Sequence, residues 1–280
     1  QILAEEQRWL RECAHDGQPR AHLWQAPQCL IVTRKDTRLP RYAVACEQLA
    51  TEGWPVFVRD SGGTAVPHGA GILNLSLLLP RTTTDLGHYY HLLGAPLLAL
   101  LGEYGLTGNY DFVPGSFCDG QYNLVIGGRK VTGTAQRWLA PGQDHQGAVL
   151  AQAMLLVAGD VDEGTRMASR FYELAGGELR FMTGTSTTLA SCIDWRGGNE
   201  ALVDKVRARL DRLLSEGLSP SPSPRGRGNR PVHGNSAAHK KATTRVVACS
   251  FQGEPETSGG VQAVCGSGSD SVSLSRSRLK

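Results

Sequence analysis

The chain has 280 residues, 40% of them hydrophobic, and a formal net charge of +3. That suffices for one large domain or two small ones with a sizeable core, and no apolar run approaches the roughly 18 residues of a membrane span. The positive balance sits in the tail, where nine Lys/Arg stand against three Asp/Glu from Leu218 onward, so the body is net acidic and offers no electrostatic case for nucleic acid.

The N-terminal segment Leu3–Cys13 is acidic with helical spacing, unlike the basic-then-apolar start of a secretory signal. Ala21–Thr33 reads as strand, turn at Ala26-Pro27, strand. Tyr42–Glu52 reads as a short helix ending at Gly53, and Pro55–Arg59 as a strand running into Ser61-Gly62-Gly63. Gly71–Leu79 is a further strand. Tyr89–Tyr104 is helical, with Pro96 dividing it into two short pieces. Tyr122–Ile126 and Lys130–Arg137 form a hairpin about Gly127-Gly128. Ala148–Leu156 is another apolar run, and Glu163–Glu173 is helical. Asn199–Glu216 is the clearest helix, with Asn199 as N-cap, the stripe Leu202, Val206, Leu210, Leu213, and Gly217 as terminator. Strands and helices without βαβ regularity predict an α+β fold.

Residues 1–217 therefore read as one catalytic-sized unit. Residues 218–280 hold 12 Ser, 8 Gly and 5 Pro with one aromatic, Phe251, and are predicted to be disordered, because they bury too little apolar surface to offset ordering entropy. The seven cysteines are widely spaced without a CxxC pair. That pattern predicts neither a disulfide framework nor a metal site, and it suits a reducing cytoplasm.

Two segments carry chemistry. In Arg59-Asp60-Ser61-Gly62-Gly63-Thr64-Ala65-Val66-Pro67-His68 a strand delivers an arginine and the chain turns through two glycines. Backbone N–H groups can approach a ligand closely there, beside a cation suited to carboxylate or phosphate. In Gly128-Arg129-Lys130-Val131-Thr132-Gly133-Thr134-Ala135-Gln136 a lysine at a strand start stands among small residues, where its ammonium can stabilise charge developing on an acyl carbonyl. Taken separately, the first is more often a plain hairpin turn and the second more often a solvated hairpin lysine.

Together, in this order and about 70 residues apart, RDSGGTAVPH and GRKVTGTAQ resemble the lipoate–protein ligase A and octanoyltransferase family over residues 20–216. The resemblance implies the biotin/lipoate ligase catalytic fold, a mixed and largely antiparallel sheet packed with helices. It implies attachment of a lipoyl or octanoyl group to a carrier lysine. The first motif, Arg59, Ser61, Gly62, Gly63 and His68, would line the acyl and nucleotide pocket. Lys130 would contact the acyl carbonyl, and Gly133, Thr134 and Ala135 would wall the acyl chain. Acceptors would be lipoyl domains of 2-oxoacid dehydrogenase complexes or the glycine-cleavage carrier protein, with acyl carrier protein as a further donor.

Departures bear on the route. Thr64 stands where the ligases carry a third glycine, and Tyr122-Asn123 where they carry Asn-Asp; the latter looks more like the cysteine-dependent octanoyltransferases. The tail does not resemble the ligases' accessory domain, and its Gly226-Arg227-Gly228 follows no strand as a phosphate loop would. Cys118, in a loop before the lysine hairpin, is a candidate nucleophile for a thioester route that needs no cofactor, with His68 as a candidate base. The alternative route is ATP- and Mg²⁺-dependent adenylation. A non-catalytic acyl-binding module that kept the fold is the remaining alternative. His145 resembles the family's His-Gly segment and is expected to support the fold.

Overall fold

A computed structural model describes residues 2–217 and the two-residue strand Arg245–Val246. Apart from that strand, the predicted disordered tail lies outside the described residues, as do Gly226-Arg227-Gly228, Cys249 and Cys265.

In chain order the elements are α1 (Ile2–Asp16), β1 (Arg20–Trp24), β2 (Cys29–Thr33), α2 (Tyr42–Thr51), β3 (Val56–Arg59), β4 (Val66–His68), β5 (Ile72–Pro80) and α3 (Leu86–Glu103). They continue with β6 (Asn109–Asp111), β7 (Asn123–Ile126), β8 (Arg129–Leu139), β9 (Ala148–Leu156), α4 (Val161–Ala175), α5 (Leu189–Cys192), α6 (Asn199–Gly217) and β10 (Arg245–Val246). Seven strands form one sheet in the order β10-β1-β5-β9-β8-β7-β6, antiparallel except for the β1–β10 pair. A smaller sheet, β3-β2-β4, has β2 parallel to β3 and antiparallel to β4.

Strand β5 explains the layering. Its alternate residues Leu73, Leu75, Leu77 and Leu79 point into the main core, where α3 and α6 cover the large sheet with Leu93, Leu97, Leu202, Val206 and Leu210. The intervening residues face the other way. There Leu78 packs on Leu10 and Cys13 of α1, while Ile72 joins Ile31 and Val66 of the small sheet. Helices α2 and α4 close the far side of the small sheet through Ala45, Leu49, Ala168 and Phe171. The second face of the large sheet thus meets both α1 and the small sheet, and the seam between them holds the site. Tyr172 of α4 ties that seam together, donating to Asp36 Oδ1 at 3.0 Å and accepting from Ala65 N at 2.9 Å.

The strand, turn, strand read over Ala21–Thr33 is present, and at Ala26-Pro27 the chain crosses from the large sheet to the small one. Two expectations need correction. Pro96 does not divide α3, because the buried residues Tyr89, Leu93, Leu97 and Leu100 continue on both sides of it. Leu92, whose carbonyl loses its partner to the proline, is exposed to water. On α6 the buried stripe is Leu202, Val203, Val206, Leu210 and Leu214, and Leu213 is only partly covered. The β7–β8 hairpin matches its sequence signal, with Gly127 and Gly128 at φ +56° and +77°. His145 packs edge-on to His15, joining the β8–β9 loop to α1. Among the described residues no helix is long and apolar enough to cross a membrane.

Candidate active site

The site assembles around Cys118. Its backbone is left-handed, at φ +48°, which non-glycine residues adopt at a cost of about 1 kcal/mol or more. Two side chains hold it there. Thr64 Oγ1 accepts from Cys118 N at 2.9 Å, and Asn123 Nδ2 donates to the Cys118 carbonyl at 2.9 Å. Asn123 also accepts from Thr134 N at 3.1 Å, which fastens the loop to β8.

The sulfur accepts from Arg59 Nη2 at 3.2 Å and from Thr64 N at 3.1 Å. Burial alone would raise this thiol. The Arg59 guanidinium, the Lys130 ammonium and the Thr64 donors outweigh burial and hold it below the ordinary thiol range. Its side chain nonetheless remains partly accessible. At Cys13, despite nearby Arg20, and at Cys29, burial prevails and pushes both up to about 12.

Lys130 is fully buried behind the loop, not at its surface. Its ammonium donates to the Phe117 carbonyl and lies 3.7 Å from the centre of the Phe117 ring. Residues 185–187 cover it, with Lys130 N donating to Thr185 O at 3.0 Å and Thr187 N donating to Lys130 O at 2.8 Å. Desolvation lowers its pKa to about 8. Both cations therefore act on Cys118, the arginine in direct contact with its sulfur and the lysine on the neighbouring Phe117. The ammonium acts on the thiol through the field and through Phe117, and it does not line the cavity.

Gly63 is required by space. Its φ is +114°, and a Cβ would stand 2.6 Å from Cys118 Sγ and 2.8 Å from Arg59 Nη2. Gly63→Ala is expected to break the Arg59–sulfur contact, lowering acyl transfer by at least about tenfold and destabilising the fold by about 1–3 kcal/mol. Kinetics and thermal unfolding check this. At Gly62 nothing lies within 4 Å of a Cβ, so Gly62→Ala is expected to be milder.

A narrow, partly enclosed slot has Cys118 in its lining. Leu3, Trp24, Ile31, Val66, Leu75 and Met154 make it largely apolar, and Gly133, Thr134 and Ala135 of β8 form one wall. Those apolar surroundings suit an acyl chain. His68 lines the slot, stacked on Trp24 with ring centres 5.6 Å apart. Burial and Arg59 push its pKa down to about 3, so it stays neutral and is a poor base for the thiol. A second, outer basin shares Leu3, Arg59 and Gln152 with the slot and is lined further by Arg34, Arg38, Asp60 and Ser61. Asp60 pairs there with Arg34 and, at 2.5 Å, with Arg137.

A family model, the lipoyl protein ligase A/B catalytic domain, matches residues 1–175. The chain belongs to that family. An octanoyl-GcvH:protein N-octanoyltransferase of Kyrpidia tusciae is 35% identical over 223 residues, covering 78% of this chain and 76% of that protein. A protein of the same name from Geobacillus kaustophilus is 36% identical over 196 residues, covering 68% of this chain and 67% of that one. Among solved structures, lipoate-protein ligase A bound with ATP superposes with a TM-score of 0.59 at 20% identity, covering 77% of this chain and 79% of that one. The bi-partite lipoate protein ligase of Thermoplasma acidophilum superposes with a TM-score of 0.54 at 20% identity, covering 78% of each. At that identity the likeness carries the fold: a largely antiparallel sheet packed with helices, as in the lipoate-protein ligases.

Within this lipoyl ligase A/B family chain, the structure brings Arg59, Gly63, His68, Cys118, Gly133, Thr134 and Ala135 to one slot or its mouth. Ser61 falls in the outer basin, and Gly62 is exposed. Sequence reasoning missed the work of Thr64 and Asn123, although both stood out as departures from the ligase pattern. It missed Trp24 and Gln152 altogether, since a tryptophan in a strand and a lone glutamine carry no motif. Glu6 of α1 was also silent. It is buried, accepting from Ser76 Oγ and from Gln152 Nε2, the latter at 2.9 Å, and its burial raises its pKa.

Proposed function

We propose that Cys118 carries an octanoyl group as a thioester between the glycine-cleavage carrier protein and lysines of lipoyl domains. The chain is an enzyme that attaches lipoyl or octanoyl groups to a lipoyl carrier protein, and the finer reading concerns its route and donor. The observation that supports it is the sulfur itself, lining a largely apolar slot with two N–H donors on it and two cations around it. The names of the relatives agree with this donor.

In the first step the Cys118 thiolate attacks the donor's acyl carbonyl. A C–S bond forms, the donor's C–N bond breaks, and the leaving lysine amine takes up a proton. In the second, the acceptor lysine attacks the thioester, gives up a proton, and returns the thiolate. Arg59 Nε, buried and without a partner among the described residues, is the donor offered to the carbonyl oxygen. Lys130, with its pKa near 8, keeps a positive charge beside the loop through most of the neutral range. A reducing cytoplasm suits such a thiol.

ATP and Mg²⁺ belong to the ligase route. The outer basin offers Arg34, Arg38 and Arg59 to phosphates, but Glu6 and Asp60 share it and Asp60 already engages two of the arginines nearby. A triphosphate fits that mixed basin less well than a thiolate fits its donors. The test uses the full chain with octanoyl-loaded glycine-cleavage carrier and an unmodified lipoyl domain, ATP omitted. Octanoylation of the acceptor is expected at a rate that added ATP does not change. A strict requirement for ATP, with pyrophosphate release driven by free lipoate, would replace this route with ligation.

A further inference from the structure

A second cavity adjoins the acyl slot at His68. Its inner wall is apolar, made by Trp54, Pro67, Ile72, Phe117 and Leu156, and its outer rim is polar, with Asp160 and Glu163 at the start of α4. The two cavities have one lining side chain in common, that of His68. The imidazole is buried, its Nδ1 has no partner among the described residues, and its face rests on Trp24. A neutral ring packed this way contributes its bulk to the wall between the two cavities.

We propose that His68 is the specificity-determining end-stop of the acyl slot, closing it against the cavity behind and thereby setting the longest acyl chain the enzyme accepts. This rests on the slot being the acyl site, as proposed above. A closed apolar end rejects each surplus methylene by roughly tenfold or more. Joined to the second cavity, the slot would instead gain about fourfold for each methylene it takes in. Gly69 gives independent control of the space beyond. It lines only the second cavity, and a Cβ there meets nothing nearer than Gln28 Cα at 3.7 Å, so a valine can be placed to fill it.

The experiment is calorimetric binding of octanoate, decanoate and dodecanoate to the full chain, to His68→Ala and to His68→Val. The valine variant puts a strand-favouring β-branched residue in β4 and guards against loss of fold. The wild type is expected to bind octanoate best. In either variant the affinity for dodecanoate relative to octanoate should rise by at least about tenfold, and adding Gly69→Val should reverse the gain. Folded variants with an unchanged ratio, or a wild type that binds none of the three acids, would overturn the proposal. Transfer assays run alongside separate the two ideas: a length shift without any octanoyl transfer would sink the acyltransferase reading while leaving the end-stop in place.

Discussion

Cys118→Ser is expected to lose at least about a thousandfold in octanoyl transfer while keeping its fold. The serine oxygen would stand in the same nest, facing Arg59 Nη2 and Thr64 N. Those donors and the nearby ammonium lower the thiol below its ordinary value, but a hydroxyl begins far too high to be ionised by the same field. The substitution is nearly isosteric, and the bonds that hold the loop, from Cys118 N to Thr64 and from Asn123 to the Cys118 carbonyl, involve backbone atoms and survive it. An unchanged melting temperature with lost transfer isolates the chemistry from the packing. Retention of full transfer by a folded Cys118→Ser protein would remove Cys118 from the reaction.

Arg59→Ala is expected to move the Cys118 pKa upward, because it removes a cation in direct contact with the sulfur. The sign follows from charge: the guanidinium stabilises the thiolate, and burial, which favours the neutral thiol, is left less opposed. Below the new pKa each unit of rise costs about tenfold in thiolate. The pH at half-maximal alkylation by iodoacetamide should therefore shift up. Transfer at neutral pH should fall by about tenfold or more and recover partly in alkaline buffer. Lys130→Met should shift the same midpoint in the same direction through a group that does not touch the sulfur. An alkylation profile unmoved by Arg59→Ala would mean that the sulfur and the guanidinium are not electrostatically coupled.

Much of this was legible in the residues. The hairpin at Gly127-Gly128, the strands ending at Arg59 and beginning near Lys130, and the alternation along β5 are local patterns, and local patterns survive folding. The two motifs were legible as a pair because residue type and order carry their chemistry. What could not be read was who touches whom. Lys130 looks solvated in a hairpin until residues 185–187, more than fifty positions later, cover it. His68 looks like a base until burial and Arg59 make it neutral. Thr64 reads as the loss of a glycine, yet its hydroxyl and amide fasten the Cys118 loop across 54 positions of chain. Even the β1–β2 segment, with its turn at Ala26-Pro27, hid that its two strands belong to different sheets.

The most direct measurement is intact-mass analysis of the full chain after brief mixing with octanoyl-loaded carrier, without ATP, followed by peptide mapping. A mass gain of one octanoyl group, labile to hydroxylamine and located on the peptide containing Cys118, is the predicted result. A chain that transfers octanoyl to the acceptor yet never carries the group, or carries it on a residue other than Cys118, would contradict the account.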